Sequence, residues 1–292
     1  PLCLVGSEMC IRDRFKTFTL AAGLQQNVIQ EDTLFKNLPK KIKCAGRSIS
    51  EYDMDIPSSL TAEEILIRSG NIGSIKIAQK VGLENFKDFL ENLDLLNKIQ
   101  FDIEEVGNPI PFKWGKCKLA TSAYGHGITT TPLQLAKAYA IIANGGYKIK
   151  PTLIKKEKNL KRGEQIITQE NSSKINEILR KIVTSEQGTA NLANIAGYEI
   201  AGKTGTAQKS IKGKYSKKKI NTFASIFPIS SPKYVLIVLL DEPKLSETYI
   251  YEYNDGKKRK IIGTPFNTAG WTSVEVAKNI IEKIGPILAI KY

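Results

Sequence analysis

Apolar positions recur first at helical spacing and later at strand spacing. The stretch 15–24, FKTFTLAAGL, has Phe15, Phe18 and Leu20 to Ala22 as its apolar positions and reads as a helix. Over 60–82, LTAEEILIRSGNIGSIKIAQKVG, two helices are predicted to meet near Ser69. Thr61 followed by Glu64 is a capping box that opens the first. Ile72, Ile75, Ala78 and Gln79 line up on the second, and Gly82 ends it. The stretch 83–96 is another amphipathic helix. The clearest helix spans 129–146, where Thr131 can cap, Pro132 fits the first turn, and Gly145 and Gly146 stop it. A further helix is predicted over 171–190, ending near Gly188.

The period then changes. Residues 197–209, 221–229 and 233–243 read as three strands, and the chain closes with a helix over 271–285. Val235 to Leu240 is continuously apolar, the pattern of a strand buried on both faces. The expected class is α+β, an antiparallel sheet packed with helices. There is no internal repeat and no low-complexity linker.

Composition narrows the function classes. The chain has 292 residues, 41% hydrophobic and 25% charged, which is ordinary for a globular protein with a sizeable core. It contains no apolar run long enough to span a membrane and no signal-peptide pattern at its start. A membrane anchor upstream, in a longer parent, is compatible with this. The formal charge of +14 raises nucleic acid as a partner. Arg, however, supplies only seven of the 43 basic residues. Specific readers of nucleic acid use Arg for bidentate contacts, so no nucleic-acid partner is expected. The Lys-rich stretches 209–220 and 255–262 read as solvated loops. Cys3, Cys10, Cys44 and Cys117 form no CxxC pair, and His126 is the only His, so neither a metal site nor a cofactor is expected. A Cys44–Cys117 disulfide is possible but cannot be deduced; packing is the reading for both. His126 reads as a loop position beside a helix start.

Two short motifs carry candidate chemistry. Lys203-Thr204-Gly205-Thr206 lies on a predicted strand. A strand edge with these residues can pair with an extended peptide, attract a carboxylate through its Lys and leave room at its Gly. Ser69-Gly70-Asn71 lies at a helix junction, where both polar side chains can face a cleft. Helix capping is the plainer reading of that triplet. The order decides: a Ser-x-x-Lys, a Ser-x-Asn and a Lys-Thr-Gly in sequence mark penicillin-binding proteins and class A β-lactamases. Lys16 precedes the other two elements here.

With those motifs, the stretches 15–24, 63–82, 124–146, 197–209 and 233–244 resemble class B penicillin-binding proteins, closest to the division-type septal peptidoglycan D,D-transpeptidases. The likeness runs from Phe15 to the C-terminus. It implies a serine transpeptidase/β-lactamase-like fold and an acyl-enzyme mechanism. A serine attacks the penultimate D-alanine carbonyl of a peptidoglycan stem peptide, D-alanine leaves, and an amine from a neighbouring strand resolves the ester. β-Lactams trap the same serine. A serine needs a base, and a Lys serves as one only when burial or a second cation favours its neutral form. By resemblance Lys16 is that base, Lys203 the second cation and Ser69 a proton relay. Asn71 holds the substrate amide, and Lys203 and Thr204 bind the terminal carboxylate. Gly205 allows close approach, and the Thr206 N–H, with that of the serine, forms the oxyanion hole. The resemblance further implies divisome membrane partners and the periplasmic face of the bacterial inner membrane.

The family's serine belongs at position 13, one helical turn before Lys16. This chain has Asp13. Asp cannot substitute, because an acyl-Asp is a labile anhydride. Two other Ser-x-x-Lys matches, Ser216 to Lys219 and Ser230 to Lys233, cannot begin a buried helix. Residues 1–14 therefore read as foreign. LVGSEMCIRD is the translation expected of a transposase-type sequencing adapter ending ATG TGT ATA AGA GAC AG. On that reading 15–292 is the C-terminal portion of a transpeptidase domain whose serine, early strands and anchor lie in a longer parent, and the fragment is inactive. The competing readings are a D,D-carboxypeptidase or β-lactamase on the same fold, and a catalytically dead scaffold or β-lactam sensor with Asp13 genuine.

Overall fold

The computed structural model describes residues 9–10, 12–103, 114–115, 117–155, 162–211, 214–254 and 258–290. Cys3, and parts of both Lys-rich stretches (212–213 and 255–257), lie outside the described residues. The chain divides into two compact units, Pro1–Asn176 and Glu177–Tyr292.

The first unit contains β1 (Met9–Cys10), α1 (Lys16–Gln25), β2 (Leu34–Phe35), β3 (Lys41–Cys44), β4 (Arg47–Ser50), β5 (Leu60–Thr61), α2 (Ala62–Ile67), α3 (Asn71–Val81), α4 (Leu83–Asn92), α5 (Lys118–Ser122), β6 (Thr129–Thr130) and α6 (Pro132–Ala143). Its core is α1, buried on every side from Lys16 to Leu24 and packed on α2, α3 and α4. Phe15 and Phe18 meet edge to face at 5.5 Å, and Phe18 meets Tyr139 in the same way at 5.5 Å. Burial of this kind is the main favourable term in folding. Helix α3 is less amphipathic than expected. Gln79 is exposed, while Asn71–Ile75, Ile77, Ala78 and Val81 are buried, because α3 packs on α1, α2, α4 and α5.

The predicted capping box at Thr61 forms, and the predicted Thr131 cap turns out to be a capping box as well. Thr61 accepts from the Glu64 N–H and Thr131 from the Gln134 N–H, with each third residue's side chain returning to the cap. Gly82, Gly145 and Gly146 adopt φ of 84°, 91° and 89° beyond their helices, where glycine alone is at ease. Replacing Thr131 by Ala is expected to cost about 1–2 kcal/mol in urea denaturation, because a buried cap is lost, and Thr131→Ser is expected to restore most of it.

Several elements differ from the sequence reading. Helix α4 stops at Asn92, and Leu93 and Leu95 are buried in the turn after it. The hairpin β3–β4 has no counterpart in that reading. Its two-residue loop, Ala45-Gly46, has φ of 45° and 76°, the positive values of a tight hairpin turn. Strands β1 and β6 pair, as do β2 and β5.

The unit boundary falls within α7 (Gln169–Thr184). This helix ends four residues before Gly188, which sits in a turn where a Cβ would lie 2.2 Å from the Ile182 carbonyl oxygen. The second unit continues with β7 (Ala201–Ile211), β8 (Lys214–Phe227), β9 (Tyr234–Asp241), β10 (Ile250–Asn254), β11 (Lys258–Ile262) and α8 (Ser273–Ile290). Strands β7-β8-β9 form an antiparallel sheet in that order, and α8, with Val274, Ala277 and Ile281 buried, packs on β8 and β9. Antiparallel strands with helices packed on them are the α+β class expected. Helix α8 runs past the predicted end at residue 285 and through Pro286.

The described parts of the Lys-rich stretches are strands and not loops. Residues 209–211 and 214–220 are the arms of the β7–β8 hairpin, and 258–262 is β11. Lys209 reaches Asp241 at 3.0 Å and Glu242 at 2.8 Å, and Lys218 reaches Glu242 at 2.9 Å. Hydrogen bonds from these two lysines hold the Glu242 carboxyl below its ordinary value. Strand β9 is half-buried rather than buried on both faces, with only Val238 fully covered. It ends the sheet, and among the described residues no strand pairs with its outer edge. No described helix is long and apolar enough to cross a membrane.

Candidate active site

Three predicted residues come together in the first unit. Asp13 lies in a 3-10 turn, Arg12–Phe15, that runs directly into α1. One turn on, Lys16 is buried, and its Nζ donates to Asp13 Oδ1 at 2.8 Å, to the Ser69 carbonyl at 2.6 Å and to Ser69 Oγ at 3.1 Å. An ammonium has three N–H groups, and three acceptors surround it.

The local chain explains why Ser69 presents two oxygens to one lysine. Helix α2 ends at the Arg68 cap, and Ser69 follows with φ of 58°, in left-handed conformation. The Gly70 N–H bonds to the Ile65 carbonyl at 2.8 Å and the Ser69 N–H to the Leu66 carbonyl at 3.1 Å. That pair of bonds is the left-handed helix ending usually built with glycine. A non-glycine residue held there carries about 1 kcal/mol or more of strain. The capping reading of Ser69 was therefore partly right, at the end of a helix rather than the start.

Asn71 opens α3 and is buried. Its Nδ2 donates to the Ser50 carbonyl at 2.9 Å, and its Oδ1 is buried without a hydrogen-bond partner. A buried, unpaired amide oxygen is costly and calls for an explanation. On α1 and α6, Thr17 and Tyr139 share a hydrogen bond of 3.0 Å, and burial pushes the Tyr139 phenol well above its ordinary value. Tyr139 packs edge to face on Phe18 and hydrogen-bonds to Thr17. His126 lies in the turn after α5, stacked on Tyr124 at 5.9 Å.

The other predicted residues lie in the second unit, on β7. Lys203 is fully buried, and its Nζ donates to the Thr204 carbonyl at 3.2 Å. Thr204 is paired hydroxyl to hydroxyl with Thr189 at 2.6 Å. Gly205 faces Thr222 in the ladder. Thr206 Oγ1 accepts the Ala269 N–H at 2.9 Å, and Asn221, opposite Thr206, donates to Asn267 at 2.8 Å and Thr272 at 2.9 Å. Segment 267–272 is thus tied to β7 through Thr206 and to β8 through Asn221.

Sequence reasoning missed Glu51, Thr189 and Asn221. None lies in a motif, and each reaches its partner across a sequence gap that no periodicity bridges. The two other Ser-x-x-Lys matches stay outside any helix: Ser216–Lys219 lies on β8 and Ser230–Lys233 between β8 and β9.

A buried helix-borne lysine facing a Ser-x-Asn serine, and a Lys-Thr-Gly strand flanking an antiparallel sheet, define the serine transpeptidase/β-lactamase class. The chain belongs to the penicillin-binding protein transpeptidase domain family, whose model matches residues 14–267. It is 30% identical over 288 residues to a probable peptidoglycan D,D-transpeptidase FtsI of Caulobacter vibrioides, covering 95% of this chain and 46% of that protein. It is 28% identical to a probable peptidoglycan D,D-transpeptidase PenA of Neisseria flavescens, covering 80% of this chain and 58% of that one. The chain thus spans about half the length of the curated relatives it matches. In fold it is similar to the transpeptidase domain of penicillin-binding protein 3 from Burkholderia pseudomallei, with a TM-score of 0.83 at 23% identity over 97% of this chain and 81% of that one. Penicillin-binding protein 3 of Mycobacterium tuberculosis complexed with aztreonam gives 0.78 at 23% identity, over 96% and 64%.

Proposed function

We propose that this chain carries the acyl-transfer machinery of a septal peptidoglycan D,D-transpeptidase, with position 13 as the place of the nucleophile. The observation that carries this reading is the Asp13–Lys16–Ser69 cluster, in which the side chain at 13 and Ser69 Oγ lie at 2.8 Å and 3.1 Å from one lysine nitrogen. A serine at 13 loses its proton to Lys16 and attacks the penultimate D-alanine carbonyl. The peptide C–N bond breaks, D-alanine leaves as the amine after taking a proton relayed through Ser69, and an ester remains. A second stem peptide's amine then displaces the serine. The unpaired Asn71 Oδ1 suits a substrate amide N–H. Lys203 and Thr204 take the terminal carboxylate, Gly205 leaves room for the peptide, and the N–H groups of Thr206 and residue 13 receive the oxyanion. β-Lactam binding, the periplasmic face of the inner membrane and divisome membrane partners are proposed together with this, on the family resemblance.

As it stands the chain has no nucleophile at 13. Incubation with benzylpenicillin is expected to give no covalent adduct by intact-mass spectrometry, and an adduct would overturn the assignment of position 13. The Asp13–Lys16 ion pair favours one second reading, a dead scaffold or sensor that holds β-lactams without reacting. Long-read sequencing across codons 1–20 separates the two. A Ser codon three before Lys16 marks residues 1–14 as adapter, and a genomic Asp codon favours the sensor. In a serine-bearing form, the partition of acyl groups between water and an amine acceptor separates transpeptidase from carboxypeptidase or β-lactamase.

A further inference from the structure

The Ser69-Gly70-Asn71 segment has a weakness that its own sequence cannot repair. Gly70 is the N-cap of α3 and brings no side chain to the first N–H groups of the helix. Those donors need acceptors once buried. The acceptor comes from twenty residues upstream: Glu51 Oε2 accepts the Asn71 N–H at 2.6 Å, and Oε1 accepts the Ile72 N–H at 2.8 Å. Glu51 is itself buried, only 7% exposed. A carboxylate at a helix N-terminus is favoured by the helix dipole and by charge-assisted hydrogen bonds.

Glu51 is also well anchored. It follows β4 directly, and its N–H bonds to the Lys40 carbonyl at 3.0 Å, closing the base of the β3–β4 hairpin. The neighbouring Ser50 carbonyl holds the Asn71 amide. At the other end of the hairpin, Cys44 is bonded to Cys117, next to α5, and α5 packs on α3. A Cβ added to Gly70 would come within 3.2 Å of Ile56 Cδ1 and 3.8 Å of Glu51 Oε1, so the carboxylate lies against the triplet itself.

We propose that Glu51 is the positioning residue of the Ser-Gly-Asn element. By capping α3 it fixes where that helix starts, and so holds Ser69 in the left-handed turn that aims Oγ at Lys16 and Asn71 Oδ1 at substrate. This deepens the transpeptidase reading and rests on it. Glu51 touches neither substrate nor the reacting atoms; it acts through Ser69 and Asn71.

The test uses the full chain in two forms. In an Asp13→Ser background, Glu51→Ala is expected to lower the limiting rate of acylation by benzylpenicillin roughly 10- to 100-fold, with Glu51→Gln, which keeps one acceptor, recovering part of it. Rates are taken well below the melting temperature and per folded molecule, so lost stability alone leaves them unchanged. An unchanged limiting rate in folded Glu51→Ala overturns the proposal. If Glu51→Ala does not fold, the same comparison is made on Glu51→Gln. The second measurement is amide hydrogen exchange in the Asp13 chain, which needs no activity. Glu51→Ala, or Glu51→Gln in its place, is expected to speed exchange at Asn71 and Ile72 at least tenfold while the far end of α3 keeps its protection. Unchanged protection overturns the proposal. An Asp13→Ser chain that takes up no β-lactam while the exchange effect appears leaves Glu51 as the cap and counts against the transpeptidase reading instead.

Discussion

Replacing Asp13 by Ser is expected to turn a chain that takes up no β-lactam into one that takes up one per molecule. The reasoning is geometric. Asp13 lies on the turn that enters α1, so its Cβ points along the same helical face as Lys16. Its carboxylate oxygen is 2.8 Å from the lysine nitrogen. A serine there places Oγ where the Asp carbon Cγ now is, one bond further from Nζ. The four-carbon stem of Lys16 can close that gap once the carboxylate no longer holds it. The change also removes the carboxylate with which Lys16 is ion-paired.

Controls separate the nucleophile from the charge. Asp13→Asn removes the carboxylate without adding a hydroxyl and is expected to stay unlabelled by a fluorescent penicillin. Asp13→Ser combined with Lys16→Ala keeps the hydroxyl and loses the base, and labelling is expected to slow by on the order of 10²- to 10⁴-fold. A folded Asp13→Ser chain that stays unlabelled would show that position 13 is not the nucleophile's place. Labelling of Asp13→Asn would point to some other nucleophile in the chain.

What the sequence revealed and what it hid follow from the range of the interactions involved. Caps act over three residues, so the Thr61–Glu64 box and the Thr131 cap could be read directly and were found in place, with Gln134 completing a second box that the reading did not name. The motif triplets could be read too, because their order carries information that no single triplet does. The Lys-rich stretches misled for a physical reason. Lysine is rare in strands, but Lys209 and Lys218 meet the carboxylates of Asp241 and Glu242 at the end of β9, which the local sequence does not reveal. The β3–β4 hairpin was within reach: KIKC and RSIS alternate, and Ala45-Gly46 lies between them. Glu51 was not. Its partners are twenty residues away, and nothing near it marks the carboxylate as a cap. The apolar run in β9 reported strand identity correctly and burial wrongly, since an apolar edge strand and an apolar central strand share one pattern.

Removing the Cys44–Cys117 bridge is expected to be the most destabilising change in the first unit. The bridge closes a loop with a sequence separation of 73. The chain-entropy account gives such a loop about 4 kcal/mol, and measured losses for native bridges run at about 2–5 kcal/mol. For a unit of this size that corresponds to a fall in melting temperature of roughly 10 °C. The bridge spans part of the unit that is otherwise lightly held. Its hairpin has exposed and half-buried positions along β3, and its base is tied mainly through Glu51 and the neighbouring Ser50. The loss is therefore expected to be local as well as global. Cys44→Ser with Cys117→Ser should raise hydrogen exchange at the Ser-Gly-Asn segment before the rest of α3 loosens, and dithiothreitol on the unsubstituted chain should reproduce both effects. Peptide mapping without reduction should recover the two cysteine peptides joined. Melting within a degree of the oxidised chain, or alkylation of both thiols without reductant, would show that the bridge does not close in solution. A closed bridge has a functional meaning too. Such bonds persist in oxidising compartments and are rare in the cytosol, so one that steadies the candidate active site gives independent support to the periplasmic placement proposed above.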